Sequence, residues 1–184
     1  NKGFEGKVYS THATKDLCGL MLPDSAYVQQ KDLEYVNKKR AKKGQALFEP
    51  LYTIPDAEKT MERFVPKNLG EHFRLGENIE VYFLNSGHIL GSSMLIVKIK
   101  SGGQKLKIGF TGDLGRKDLP ILRDPDEMYE LDYLVIESTY GGRDHNPIST
   151  AHTRLADIIN ETHKKGGKVI VPVFAVERAQ EMLY

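Results

Sequence analysis

The stretch LNSGHILGSS, residues 84–93, decides the fold of this chain together with FTGDLGR, residues 110–116. His88 lies in a Gly- and Ser-rich turn between two predicted strands, and Asp113 directly follows the next strand. A rigid sheet can direct polar side chains at strand ends into a shared site. Imidazole nitrogens are common zinc ligands, and a carboxylate can bridge two ions. The two stretches therefore predict that His88 and Asp113 are metal ligands.

Three further positions are candidates for the same site. Glu137 ends the apolar strand 133–136, where an unpaired carboxylate is costly, so it forms either a structural salt bridge or part of the site. Ser92 and Ser93 could contact phosphate, although a turn composition explains them equally well. Arg178 begins a predicted helix after a predicted buried strand, a place suited to anion binding; an ion pair with Glu177 or Glu181 is the alternative.

These stretches, in this order and with the following IESTYG at residues 136–141, resemble motifs of the metallo-β-lactamase fold. They are most similar to its nucleic-acid-processing branch, the β-CASP family. The phrase VPVFAVERAQE at residues 171–181 resembles that family's first strand-helix unit after the acidic motif. The resemblance runs from Gly6 to Tyr184. It implies an α/β (α+β) chain: part of an αββα sandwich over residues 1–137, then the start of an inserted α/β β-CASP domain over 138–184.

The resemblance also implies an activity, that of a zinc-dependent ribonuclease in RNA processing or decay. In such an enzyme His88 and Asp113 would bind metal, with Asp113 bridging two zinc ions. Glu137 would be catalytic by holding a histidine that protonates the leaving group, and Ser92, Ser93 and Arg178 would contact substrate. The family's His-x-His-x-Asp-His signature and its final metal-binding histidine are absent. The chain is therefore expected to be an internal fragment of a longer protein and inactive alone.

Two other functions remain open: an inactive paralogue serving as a scaffold in an RNA-processing complex, and a thioester hydrolase of the same fold. RNA is the expected partner, with a homodimer or a processing complex as further assemblies. One cysteine, Cys18, fits a reducing cytoplasm, and no apolar run approaches the roughly 20 residues of a membrane span. A net charge of +1 gives no global attraction to nucleic acid, and Tyr27, Tyr35, Tyr52 and Tyr82 look too scattered for a base-stacking platform.

Hydrophobic spacing predicts the order of helices and strands. In the N-terminal part, a strand at 6–10 precedes a helix at 13–21 that Pro23 ends, and Asp24 or Ser25 caps a second helix. Further elements are predicted as helices at 31–43, 57–64 (capped by Asp56), about 155–162 and 175–184, and as strands at 73–75, 79–84, 94–100, 106–110, 133–136 and 168–173, the last two buried.

Overall fold

A computed structural model describes residues 3–119, 121–144 and 147–183. The chain forms two compact units, residues 1–73 and 74–184. In chain order the elements are β1 Val8–Ser10, α1 His12–Ala41, α2 Ile54–Met61, β2 Phe64–Pro66, β3 Phe73–Arg74, β4 Ile79–Asn85, β5 Ser93–Ser101, β6 Gln104–Phe110, β7 Tyr133–Val135, a 3-10 turn Ile148–Thr150, α3 Ala151–Lys164 and α4 Arg178–Leu183.

The second unit is built on a mixed sheet with the strand order β3-β4-β5-β6-β7. Strand β5 is antiparallel to both β4 and β6, and β7 is parallel to β6. Strands β4, β6 and β7 consequently run in the same direction, and their C-terminal ends lie on the same side of the sheet. The loops that carry His88, Asp113 and Glu137 all follow these C-terminal ends. Helices and mixed sheets confirm the expected α/β class.

A small set of apolar side chains forms the core of this sheet. Val81, Met94 and Ile96 are at most 2% exposed. On the face that carries Ile96, the side chains of Met128 and Leu131 approach the sheet so closely that a β-carbon at Gly109 would lie 2.7 Å from each. Gly109 thus lets Met128 and Leu131 pack against β6 near its C-terminal end.

Helix α1 is continuous, so the prediction that Pro23 separates two helices is wrong. Thr11 is the N-cap, its hydroxyl accepting the Thr14 N–H at 3.2 Å, and neither Asp24 nor Ser25 starts a helix. A proline inside a helix removes one hydrogen bond and crowds the carbonyl four residues earlier. That residue is Gly19, which has no side chain to resist a small backbone adjustment, and full burial of Ala26 stabilises the turn after Pro23.

Helix α2 begins three residues earlier than predicted because Thr53, not Asp56, is its N-cap. Asp56 is the third residue of a capping box: the Thr53 N–H and hydroxyl both donate to its carboxylate, at 2.9 and 2.8 Å. The chain then forms β2, which sequence spacing had not predicted. Strand β2 pairs in parallel with β1, and Val8 lies opposite Phe64.

Two strands predicted to be buried differ in the structure. Residues 133–135 form β7, one residue shorter than predicted, and residues 133–136 are all exposed, because β7 is the last strand of the sheet and pairs with only one neighbour. Residues 168–173 are exposed and form no strand. Helix α4 begins at Arg178 rather than Ala175, and Tyr184 lies outside the described residues.

The predicted domain boundary near 137–143 falls inside the second unit and stays a prediction. None of the helices in the described ranges has the length and apolar content needed to cross a membrane.

Candidate functional site

A cleft of about 370 Å³ brings together four of the six candidate residues. His88, Asp113, Glu137 and Arg178 all line it, whereas Ser92 and Ser93 do not. Its other lining residues come from the Asp113 loop, the segment after β7 and the α4 region: Leu114, Gly115, Arg116, Leu119, Thr139, Tyr140, Glu177 and Glu181. Residues that are distant in the sequence thus line one cleft, because the strands before His88, Asp113 and Glu137 end on the same side of the sheet.

His88 and Asp113 face each other across the cleft. The imidazole Nε2 lies 3.8 Å from Asp113 Oδ2, with the His88 side chain 39% exposed and the Asp113 side chain 76% exposed. Zn–N and Zn–O bonds are about 2.0–2.2 Å long, so two ligands of one zinc ion lie at most about 4.2 Å apart. The separation and the nitrogen and oxygen donors therefore fit a shared metal ion. In the described part of the chain, no third His, Cys, Asp or Glu completes a cluster with them.

Glycine makes the close approach of the two loops sterically allowed. A β-carbon at Gly115 would lie 1.7 Å from the Gly87 carbonyl oxygen, far inside van der Waals contact. The Gly115 N–H instead donates to the Ser86 carbonyl at 2.9 Å. Gly87 itself has a φ of +64°, in the left-handed region that favours glycine, and a β-carbon there would meet the Arg123 carbonyl at 2.8 Å. Both glycines are needed for His88 and Asp113 to meet.

Ser92 organises the turn that presents His88. Its hydroxyl oxygen accepts the N–H groups of His88 and Ile89, both at 3.1 Å. Ser93 is the first residue of β5 and pairs with Asn85 across the ladder. The described contacts of the two serines are therefore internal to the protein, and the substrate-binding role inferred from their composition stays a prediction.

Glu137 connects the segment after β7 to the Asp113 loop. Its carboxylate accepts the Leu114 N–H at 2.9 Å and the Thr139 N–H at 3.2 Å. The Leu114 N–H, followed by the Thr139 hydrogen bonds and the nearby His88, holds the pKa of the Glu137 carboxyl below its ordinary value. Glu137 is therefore an ionised acceptor that fixes the residue next to Asp113. Its catalytic role through an additional histidine stays a prediction.

Asn85 is an organising residue that sequence reasoning missed. Its amide Nδ2 donates to the carbonyls of Arg123 and Asp124, and its Oδ1 accepts the Gly87 N–H at 3.3 Å. Its backbone N–H donates to the Asp126 carboxylate at 2.7 Å. An Asn at a strand end before Ser-Gly is a usable turn signal. Its partners nearly forty residues later could not be read from the sequence.

Arg178 is the first residue of α4 and forms an ion pair with Glu181 at 3.5 Å. Of the two partners considered for it, Glu181 is therefore the one found. The Arg178 side chain is 63% exposed, and it brings a positive charge to the side of the cleft that carries Glu177 and Glu181.

Comparison with known proteins found relatives along the whole chain. Ribonuclease TTHA0252 of Thermus thermophilus is 32% identical over 183 residues, covering 100% of this chain and 37% of that protein. An RNase J-like protein of Methanocaldococcus jannaschii is 37% identical over 183 residues, covering 96% of this chain and 37% of that protein. Cleavage and polyadenylation specificity factor subunit 3 of Dictyostelium discoideum is 32% identical over 184 residues, covering 98% of this chain and 21% of that protein.

The chain thus spans between 21% and 37% of the length of these relatives. No family model matches it. The matches nonetheless cover 96% to 100% of the chain at 32% to 37% identity, with ribonucleases and an RNA-processing factor. The homologues of this chain are thus β-CASP proteins of the metallo-β-lactamase fold, the family that its motifs resemble.

Proposed function

We propose that the protein carrying this chain is a metal-dependent phosphodiesterase that hydrolyses RNA. The observation that carries the proposal is the His88–Asp113 pair, 3.8 Å apart in a cleft that Glu137 and Arg178 also line. The relatives' names support RNA as the substrate, since they include a ribonuclease and a cleavage and polyadenylation factor subunit. Because this chain covers only part of each relative, the activity belongs to the longer protein.

The donor set favours zinc as the metal. His88 and Asp113 would each contribute one ligand, and the exposed Asp113 carboxylate has a second oxygen with which to bridge two ions. Bound ions of this kind polarise a phosphoryl oxygen and lower the pKa of a coordinated water. Most of the remaining ligands would come from parts of the longer protein.

The chain's own residues have distinct roles in this proposal. Glu137 holds the Asp113 loop through the Leu114 N–H, and Ser92 holds the His88 turn, so both act as positioning residues. Arg178 supplies a positive charge near the phosphate, reduced by its ion pair with Glu181. Misplacing a catalytic group by about 1 Å can cost on the order of 100-fold in rate, so these supports matter as much as the ligands.

The test is a comparison of variants of the full-length protein. Elemental analysis and single-turnover cleavage of a labelled RNA are measured for His88→Ala and Asp113→Ala, with His152→Ala and Asp157→Ala on the exposed surface of α3 as matched controls. Both site variants should lose metal and cleave RNA at least about 100-fold more slowly, a change of about 2.7 kcal/mol in transition-state stabilisation. The two controls should retain both properties.

Other outcomes would identify the alternative functions. Unchanged metal content in both site variants would contradict the ligand assignment. A wild-type protein that binds RNA without cleaving it would support the scaffold function, and rapid hydrolysis of a thioester with no action on RNA would support the small-molecule hydrolase. Assembly into a homodimer or processing complex and a cytoplasmic location are further proposals. The free thiol of Cys18 fits the cytoplasmic location, because the cytoplasm keeps thiols reduced.

A further inference from the structure

Helix α1 carries a row of alternating aromatic and basic side chains on one face. Tyr27, Lys31, Tyr35 and Lys38, here called the Tyr–Lys stripe, fall within an arc of about 80° at 100° per residue. Ala26, which is fully buried, points to the opposite side of the helix. The stripe is therefore the outward face, and the prediction that Tyr27 and Tyr35 are scattered is wrong because helical spacing aligns them.

Both rings of the stripe are accessible. Tyr27 is 51% exposed and Tyr35 is 64% exposed. Lys31 Nζ lies 5.7 Å from the centroid of the Tyr27 ring, and Lys39 Nζ lies 4.2 Å from that of the Tyr35 ring. The rings are about 12 Å apart along the helix axis, given a rise of 1.5 Å per residue. An ammonium group thus lies over one face of each ring, and the opposite face of each exposed ring can accept a stacked base.

The charge around the stripe is strongly positive. Residues 27–43 contain six cationic and two acidic side chains, a local net charge of +4 against +1 for the whole chain. Lys31 is paired with Glu34 at 3.0 Å. No described acidic side chain forms an ion pair with Lys38, Lys42 or Lys43. Basic residues do stabilise a helix C-terminus through its dipole, but that effect does not account for two exposed tyrosines aligned with them.

The C-terminal end of α1 is held rigidly. Asn37 forms two hydrogen bonds with the backbone of Phe48, at 2.8 and 2.9 Å, and the Arg40 guanidinium lies 4.0 Å from the Phe48 ring centroid. Arg40 Nε also donates to the Ala46 carbonyl. The segment after the helix is thereby folded back onto its C-terminal end.

We propose that the Tyr–Lys stripe binds single-stranded RNA, separately from the cleft that contains His88. Bases would stack on Tyr27 and Tyr35 while Lys31 and Lys38 contact phosphates, the combination that sequence-independent single-strand binding uses. The proposal rests on the proposed function, because it takes RNA as the ligand. The stripe belongs to the first unit of the chain and the cleft to the second.

The experiment measures binding of a labelled single-stranded RNA of about ten nucleotides to the full-length protein by fluorescence anisotropy, with EDTA present and across a salt series. Tyr27→Ala with Tyr35→Ala should weaken binding about fivefold or more for each ring, since stacking on an aromatic side chain contributes about 1–3 kcal/mol per base. Replacing both tyrosines with Phe keeps the rings and should restore most of the affinity.

The charge of the stripe is tested by a second pair of variants. Lys31→Gln with Lys38→Gln should make the salt dependence shallower by about 1.4, because each single-strand phosphate contact contributes about 0.7 to the slope. Lys7→Gln with Lys59→Gln is the matched control: it changes the same charge in the same unit at exposed positions and should leave the slope unchanged. The Lys7→Gln, Lys59→Gln control should also cleave RNA with the wild-type kcat.

The outcomes separate this inference from the proposed function. Wild-type affinity in the double Ala variant, or equal weakening by Ala and Phe, would overturn the stripe while leaving RNA cleavage in the cleft intact. No RNA binding by the wild-type protein would overturn both. If the double Ala variant binds RNA normally but loses binding to labelled polyglutamate, the stripe is a surface for acidic protein segments instead.

Discussion

At the scale of single residues, the site depends on where a side chain is absent. The Asp113 loop passes the His88 turn so closely that its Gly115 N–H bonds the Ser86 carbonyl at 2.9 Å. Any β-carbon at Gly115 would overlap the Gly87 carbonyl, which is backbone and cannot rotate away. The 3.8 Å separation of His88 and Asp113 therefore depends on a residue that has no side chain.

Gly115→Ala tests this dependence in the full-length protein. The clash should force the two loops apart, so metal content should fall and RNA cleavage should slow at least about 100-fold, as expected when reacting groups are displaced by about 1 Å. Gly76→Ala is the control, because a β-carbon there meets nothing within 4 Å. A Gly115→Ala protein with full metal content and normal turnover would show that the loops can separate without harming the site.

The sequence predicts which residues meet in the cleft better than it predicts their contacts. His88, Asp113 and Glu137 were found because each follows a strand, and strands that run in one direction bring their ends together. The Leu114 N–H bond to Glu137 could not be inferred, because it depends on how two loops fold after leaving the sheet. Long-range hydrogen bonds of this kind have no local sequence signal.

At the scale of elements, the capping box of α2 makes a prediction about pH. The hydroxyl of Thr53, followed by its backbone N–H, holds the pKa of the Asp56 carboxyl below its ordinary value of 3.8. A carboxyl with a lowered folded pKa stabilises the fold above its unfolded pKa, and that contribution is lost as the pH falls through the folded value. The stabilisation should thus be complete at pH 7 and decline only below about pH 4.

Asp56→Asn removes the charge and should lower the free energy of unfolding at pH 7. Denaturant titrations of wild type and variant between pH 7 and pH 3 should show a difference that narrows below about pH 4, where Asp56 in the wild type becomes protonated. Asp16→Asn, an exposed position on α1 in the same unit, should show no such trend. A difference that stays constant down to pH 3 would contradict the capping role.

The predicted boundaries of helices and strands are accurate where the local sequence pattern and tertiary packing agree, and wrong where packing overrides the local pattern. Hydrophobic alternation placed β4, β5 and β6 to within about two residues, because pairing with neighbours on both sides agrees with the local pattern. The predictions based on Pro23 and on the apolar run at 168–173 were wrong. Burial of Ala26 stabilises the turn after a proline, whereas an apolar run forms a strand only when a neighbouring strand satisfies its backbone.

At the scale of the whole molecule, the described chain supplies only two of the ligands that the proposed zinc site needs. The mixed sheet positions His88 and Asp113, yet a catalytic zinc site normally has three protein ligands and a structural site four. In the described ranges no third metal-binding side chain joins these two. The chain covers 37% of the length of each of two of its relatives.

The 184-residue chain by itself should therefore bind zinc only weakly, because two protein ligands leave most of the coordination shell to water. Titration calorimetry should show an affinity at least about 100-fold lower than that of the full-length protein, and His88→Ala should weaken it further. His152→Ala, a histidine on the exposed surface of α3, should not change it. Two equivalents bound by the isolated chain with the affinity of the full-length protein would mean that its own residues complete the site.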